Sequence, residues 1–230
     1  MADPNRAIFE RTIELLEPLL DQLVFVGGCA TGLLVTDSAA GGIRPTKDVD
    51  AIVMVASYAE YAAVSDQMRV LGFVEDNRDL APICRFRRDD LIVDLMPTDA
   101  SILGFTNRWY VAAVTSAQTI SIAGHHVKLV DPVHFLATKL DAFHGRGQGH
   151  FATSHDLEDI LMIVDGRPEL LGEIERAEGD VRRYVATEIN RLLANLDFVE
   201  GLAGFLLPDT ASQARRPLLE ARLRAISQFK

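Results

Sequence analysis

Two cysteines, Cys29 and Cys84, are all the thiol chemistry that the 230 residues hold. Two are too few for a disulfide framework, and their apolar surroundings read as buried, so a reducing cytoplasm is the expected setting. Long apolar runs are missing too. No stretch reaches the about 18 consecutive apolar residues of a membrane span. No basic segment followed by an apolar one opens the chain, so neither a signal peptide nor a membrane partner is expected. Basic residues are in deficit: 23 Lys and Arg stand against 33 Asp and Glu, a net charge of −10. That excludes a protein whose whole surface grips nucleic acid, but not a local Arg/Lys strip. No self-similarity recurs at the periods of about 20–50 residues that mark solenoids and propellers. The six histidines, His125, His126, His134, His144, His150 and His155, do not fall into the spacing of a closed Cys/His zinc set. What remains is an ordinary globular composition, 48% hydrophobic and 24% charged, able to build one large domain or two small ones.

The apolar pattern predicts an α/β half followed by a helical half. Asp3-Pro4 reads as a helix start, with Ile8, Ile13, Leu16 and Leu20 on its apolar face. A short strand, Leu23 to Val26, runs into Gly27-Gly28 and a small-residue helix from about Cys29 to Val35. Asp37, Ser38, Gly41, Gly42 and Pro45 mark a loop before a strand from Asp48 to Val55. Tyr58 to Leu71 reads as a helix ended by Gly72, and Phe73 to Glu75 as a short strand. Ile83 to Arg88 and Leu91 to Met96 read as a hairpin turning at Asp89-Asp90. Val111 to Val114, Thr119 to Ile122 and Val127 to Val130 are further strand candidates. From Asp131-Pro132 onward everything reads as helix, broken at 145–149 and again near Asp165-Gly166-Arg167-Pro168. Residues 1–130 are therefore expected as an α/β domain with a mixed sheet flanked by helices, and 131–230 as a helical domain.

The chemistry concentrates in Lys47-Asp48-Val49-Asp50, which opens an apolar strand. Side chains alternate across a strand, so Asp48 and Asp50 point the same way, roughly 7 Å apart. Two carboxylates held so close repel unless they share a cation, and hard oxygens at this spacing suit Mg²⁺. Asp94 sits inside the apolar run Leu91 to Met96, where an acid needs a partner. If its strand neighbours that of Asp48 and Asp50, three carboxylates share one surface, able to hold divalent ions and take a proton from a hydroxyl. An ion pair with Arg85 or Arg87 across the hairpin would serve Asp94 equally well. Gly27-Gly28, ending a strand and opening a helix, offers backbone N–H groups to phosphate. Asp156 and Asp159 share a helix face in a first turn, where they also complement the helix dipole.

Taken together, Val26-Gly27-Gly28, the series Arg44-x-Thr46-x-Asp48-x-Asp50, and Val93-Asp94-Leu95 resemble the nucleotidyltransferase superfamily of polymerase-β type. More narrowly they resemble its AbiEii/MenT-like members, many of them toxins of toxin–antitoxin pairs. Pro132, Lys139, Arg146 and His155-Asp156-Leu157-Glu158-Asp159 match the downstream signature of that group. The resemblance spans roughly residues 24–165; the long loop from Asp37 to Gly42 departs from it, and nothing beyond 165 matches a motif. It implies a polymerase-β-like fold and transfer of a nucleoside monophosphate from an NTP to an acceptor hydroxyl, with release of pyrophosphate. Asp48, Asp50 and Asp94 would bind Mg²⁺ or Mn²⁺. Gly27, Gly28, Arg44, Thr46, Lys139, Arg146, Asp156 and Asp159 would form the nucleotide site, with the helical domain completing it and Lys139 acting on the phosphates. The implied acceptor is tRNA or another RNA, or a small molecule, and the implied protein partner is an antitoxin. Two other uses fit the same residues. One is a catalytically degenerate module that senses nucleotide or binds a partner; the other is a structural protein whose three acids are ion-paired. Arg85-Phe86-Arg87-Arg88 would suit an acidic partner, Trp109 and Tyr110 would suit base stacking, and each suits a hairpin end or a core as well.

Overall fold

The computed structural model describes residues 3–146 and 150–230. The chain gathers into two compact units. A sheet unit takes Pro4–Gly32 and Pro45–Asp131; a helical unit takes Leu33–Arg44 and Pro132–Lys230. The segment Leu33–Arg44, expected with the first half, thus belongs with the helices. Among the described residues no helix is long and apolar enough to cross a membrane.

The sheet unit holds seven strands: β1 (Leu23–Val26), β2 (Val49–Val53), β3 (Val74–Glu75), β4 (Arg85–Arg88), β5 (Leu91–Pro97), β6 (Gln118–Ile122) and β7 (His125–Leu129). Their order is β3-β4-β5-β2-β1-β7-β6. β2 runs parallel to β5 and β1 parallel to β7; the other pairs are antiparallel. β1 lies inside the sheet, and all four of its residues are apolar and buried, as a strand covered on both faces requires. The edge strand β3 has two residues, and β6 at the other edge exposes Gln118, Thr119 and Ser121.

Helices α1 (Arg6–Leu15), α2 (Gly27–Leu34), α3 (Tyr58–Val70), α4 (Ala100–Leu103) and α5 (Tyr110–Thr115) accompany the strands, the last two residues of α2 lying in the helical unit. α1 buries Phe9 and Ile13, and Phe9 meets Phe25 of β1 edge to face at 5.0 Å. It begins at Arg6, not at the Asp3-Pro4 signal. The side-chain oxygen of Asn5 accepts from the Thr46 N–H at 2.8 Å, so it pins the approach to β2 instead of capping the helix. α3 starts where Ser57 accepts from the Glu60 N–H, buries Tyr61, Val64 and Met68 at helical spacing, and ends at Gly72 with φ +85°. Val111 to Val114, read from the sequence as a strand, lies in α5. Four apolar residues cannot separate the two periods, and the Asn107 side chain accepting from the Trp109 N–H starts a helical turn there.

The helical unit comprises α6 (Pro132–Arg146), α7 (His155–Gly166), α8 (Leu170–Arg176), α9 (Gly179–Leu193), α10 (Leu196–Gly201), α11 (Thr210–Gln213) and α12 (Arg216–Ile226). α6 buries Phe135, Leu136, Leu140 and Phe143 against α7 and α9, and α12 closes the bundle with Leu219, Leu223 and Ile226. The helix expected from Phe198 to Leu206 tightens into a 3-10 turn after Gly201. Leu33–Arg44 is clasped to the end of α7. The N–H groups of Thr36 and Asp37 both donate to the Gly166 carbonyl at 2.9 Å. Arg215 forks onto buried Asp165 at 2.8 and 3.0 Å and reaches Asp37 at 2.7 Å.

Candidate active site

In the sheet unit the pairing register lines up four residues across four strands. Val26 of β1 stands opposite Asp50 of β2, Asp50 beside Asp94 of β5, and Asp94 opposite Arg85 of β4. Residues in one such row point to one face, and Asp48, two residues before Asp50, joins them. The three acids that the sequence singled out therefore share a surface, because β2 and β5 are neighbours.

Arg85 connects them. Its Nε donates to Asp94 Oδ1 at 2.7 Å and its Nη2 to Asp94 Oδ2 at 2.7 Å, a two-pronged pair; the same Nη2 donates to Asp48 Oδ2 at 2.8 Å. The Asp94 side chain is 10% exposed and that of Asp48 28%. Holding two anions raises the Arg85 pKa well above its ordinary value, mainly through the Asp94 hydrogen bond. Thr46 Oγ1 donates to Asp48 Oδ1 at 2.7 Å, and the Cys29 thiol donates to the Asp48 carbonyl at 3.3 Å. Burial, with Asp94 and Asp50 nearby, pushes the Cys84 thiol up to about 12, so it stays protonated and is no nucleophile at neutral pH.

Gly27 turns β1 into α2 with φ +70°, and the Asp50 carboxylate lies directly against it. A Cβ at position 27 would stand 1.8 Å from Asp50 Oδ2. Only glycine leaves that acid its place. Gly28 follows, buried in the first turn of α2.

The donor chemistry of the face, three carboxylates without sulfur or imidazole, fits a hard divalent cation. The arrangement of the side chains does not yet fit one. Among the described residues no three His, Cys, Asp or Glu side chains converge as metal ligands, since Asp48 and Asp94 close on Arg85. The ion-pair use of Asp94 that the hairpin allowed is thus present, and it extends to Asp48, which nothing local in the sequence signals.

In the helical unit Asp159, nearly fully buried, collects two cations. Lys139 Nζ reaches its Oδ2 at 2.6 Å and Arg44 Nη2 reaches the same oxygen at 3.3 Å. Lys139 also lies 3.4 Å from Asp156 Oδ1, and Arg44 Nε 3.3 Å from Glu158 Oε2. The expected i, i+3 pair on α7 is therefore the anchor for Lys139 and for Arg44, a residue 115 positions upstream of Asp159. Arg146 ends α6, and its side chain lies outside the described residues, as do 147–149. Ser154 caps α7 by accepting from the Leu157 N–H at 3.3 Å. Ser154→Ala should cost about 1 kcal/mol in a urea unfolding curve, the usual worth of a cap; a midpoint that does not move would show that packing alone holds this end of α7.

No protein-family model and no curated protein matches the chain. Among solved structures it is similar to the crystal structure of an antigenic nucleotidyltransferase-like protein from Paracoccidioides brasiliensis. The TM-score is 0.56 over 97% of this chain and 94% of that one, at 18% sequence identity. At such identity the likeness concerns the fold alone, which in this chain is a seven-stranded mixed sheet flanked by helices.

Proposed function

We propose that the protein is a nucleotidyltransferase that moves a nucleoside monophosphate from an NTP to an acceptor hydroxyl, as its resemblance to the AbiEii/MenT-like group implies. The observation that carries this reading is the row of Asp50 beside Asp94, with Asp48 on the same face and Gly27 opened to admit Asp50. In the reaction the acceptor oxygen forms a bond to the α-phosphorus, the bond from that phosphorus to the β-bridging oxygen breaks, and pyrophosphate leaves. Asp94 would take the hydroxyl proton once released from Arg85, and backbone N–H groups at the start of α2 would hold phosphate oxygens. Mg²⁺ or Mn²⁺, held by Asp48, Asp50 and Asp94, would supply Lewis-acid stabilisation of the phosphoryl charge. In the helical unit, Lys139 and Arg44, both ion-paired with Asp159, would be the phosphate contacts that the resemblance implies.

The acceptor class we favour is RNA, with tRNA first; at a net charge of −10 the contact would be a narrow Arg/Lys strip. An antitoxin would then be the protein partner, and two buried thiols suit a cytoplasmic setting. A second reading, a nucleotide sensor without turnover, draws on the Arg85 bridge, which occupies two of the three acids.

Incubation of the purified protein with Mg²⁺, each labelled NTP and total RNA tests both. Release of pyrophosphate with label entering RNA is expected for at least one NTP. Label in a small molecule or in the protein itself would reassign the acceptor. Nucleotide binding with no pyrophosphate from any NTP would favour the sensor.

A further inference from the structure

Arg85 stands where the three acids would otherwise need an external cation. Its main chain is fixed opposite Asp94 by the β4–β5 pairing, so the two-pronged bond to Asp94 is part of the hairpin's register. The bond to Asp48 is different. It is a single contact, made by a nitrogen that already serves Asp94, to a carboxylate that is more exposed. Asp48 also has Thr46 Oγ1 as a second donor at 2.7 Å, so it can leave Arg85 without losing all its hydrogen bonds. Asp50 lies against Gly27.

We propose that Arg85 is a built-in counter-cation that competes with a divalent ion for Asp48: ion entry frees Asp48 to join Asp50 first, before the two-pronged bond to Asp94 opens. The proposal rests on the metal-dependent reading above and deepens it, since it makes Arg85 the residue that sets how readily the face accepts a divalent ion. The guanidinium's charge and its hold on Asp48 both oppose a second cation a few ångströms away, where unit charges interact strongly.

The test is Mn²⁺ binding to the substrate-free full-length protein, read from the signal of free Mn²⁺ in electron paramagnetic resonance. Arg85→Gln removes the charge and one prong while keeping a polar side chain, and it should bind Mn²⁺ about tenfold tighter than the wild type. Arg85→Lys keeps the charge but cannot fork, and should fall between the two. Thermal melts guard against a variant that is merely loosened. Without metal Arg85→Gln should melt below the wild type, and saturating Mn²⁺ should raise its Tm by more than it raises that of the wild type, because the ion takes over the lost guanidinium's work. If the wild type binds Mn²⁺ and Arg85→Gln binds it equally or more weakly, the competition is overturned and Arg85 is a scaffold for the acids. If neither protein binds Mn²⁺, the competition and the metal-dependent reading fall together.

Discussion

Asp48→Asn is expected to lower pyrophosphate release from the preferred NTP by about a thousandfold, the scale of losing one charge-stabilising group in an enzyme site, while the protein stays folded. The two halves of that expectation have separate causes. Asparagine keeps the shape of aspartate and an oxygen to accept from Thr46 Oγ1, so the approach to β2 is undisturbed. Arg85 retains both bonds to Asp94, and the lost contact involves a partly solvated carboxylate, worth at most about 1 kcal/mol. For a chain of this size that is roughly 2–4 °C in Tm. The negative charge, by contrast, has no substitute on the face: Asp50 is committed against Gly27 and Asp94 to Arg85. Steady-state pyrophosphate release and a melting curve on the same preparation decide it. Unimpaired transfer in a folded Asp48→Asn protein would sink the mechanism.

Gly27→Ala should be the most damaging single methyl group in the sheet unit. Two costs add. The residue has φ +70°, a conformation that alanine adopts at about 1 kcal/mol. Its new Cβ would also lie 1.8 Å from Asp50 Oδ2, 2.5 Å from Cγ and 2.7 Å from Cβ. A flexible tip could swing aside, but the Cβ of Asp50 cannot, because the pairing of Val26 with Asp50 fixes that main chain. The end of β1 or the start of β2 must move, which brings the total to about 2–4 kcal/mol. At about 2–4 °C per kcal/mol the Tm should fall by roughly 4–16 °C. Gly124→Ala is the internal control. Gly124 has φ +88° and nothing within 4 Å of an added Cβ, so it carries the backbone cost alone. Equal Tm losses in the two variants would show that contact with Asp50 contributes nothing. Gly27→Ala should also lose transfer activity, since any relief of the clash displaces an acid of the face.

Much of this was legible in the chain because the local signals were strong. Asp48, Asp50 and Asp94 stand out as acids in apolar strands, and alternation alone puts the first two on one side. Gly72 ends α3 by cap chemistry that any helix obeys. The failures are equally physical. The apolar run at Val111 carries no period long enough to separate strand from helix. The Arg85–Asp48 bond depends on β4, β5 and β2 being consecutive in the sheet, a matter of topology that no spacing expresses. Arg44 sits four residues before Asp48 in the chain and was read with it, yet its acidic partners are Glu158 and Asp159. Residues beyond 165 announced their helices through periodicity but not the clasp of Arg215 on Asp37 and Asp165, because a salt link between distant segments has no local signature.

That clasp has a consequence for how the chain is made. Asp37 and Arg215 are 178 residues apart. At the usual about 5–20 residues per second of synthesis, Leu33–Arg44 leaves the ribosome roughly 9–36 s before its last anchor exists. By the time Asp131 has emerged the whole sheet unit is out, while Val35 and Ala40, which flank Gly166 in the finished protein, still lack that partner. A fragment ending near residue 130 would freeze the nascent protein at that stage, with an apolar strip in water. Chaperone demand during translation, rather than the stability of the finished protein, is therefore where substitutions in Leu33–Arg44 should first be felt.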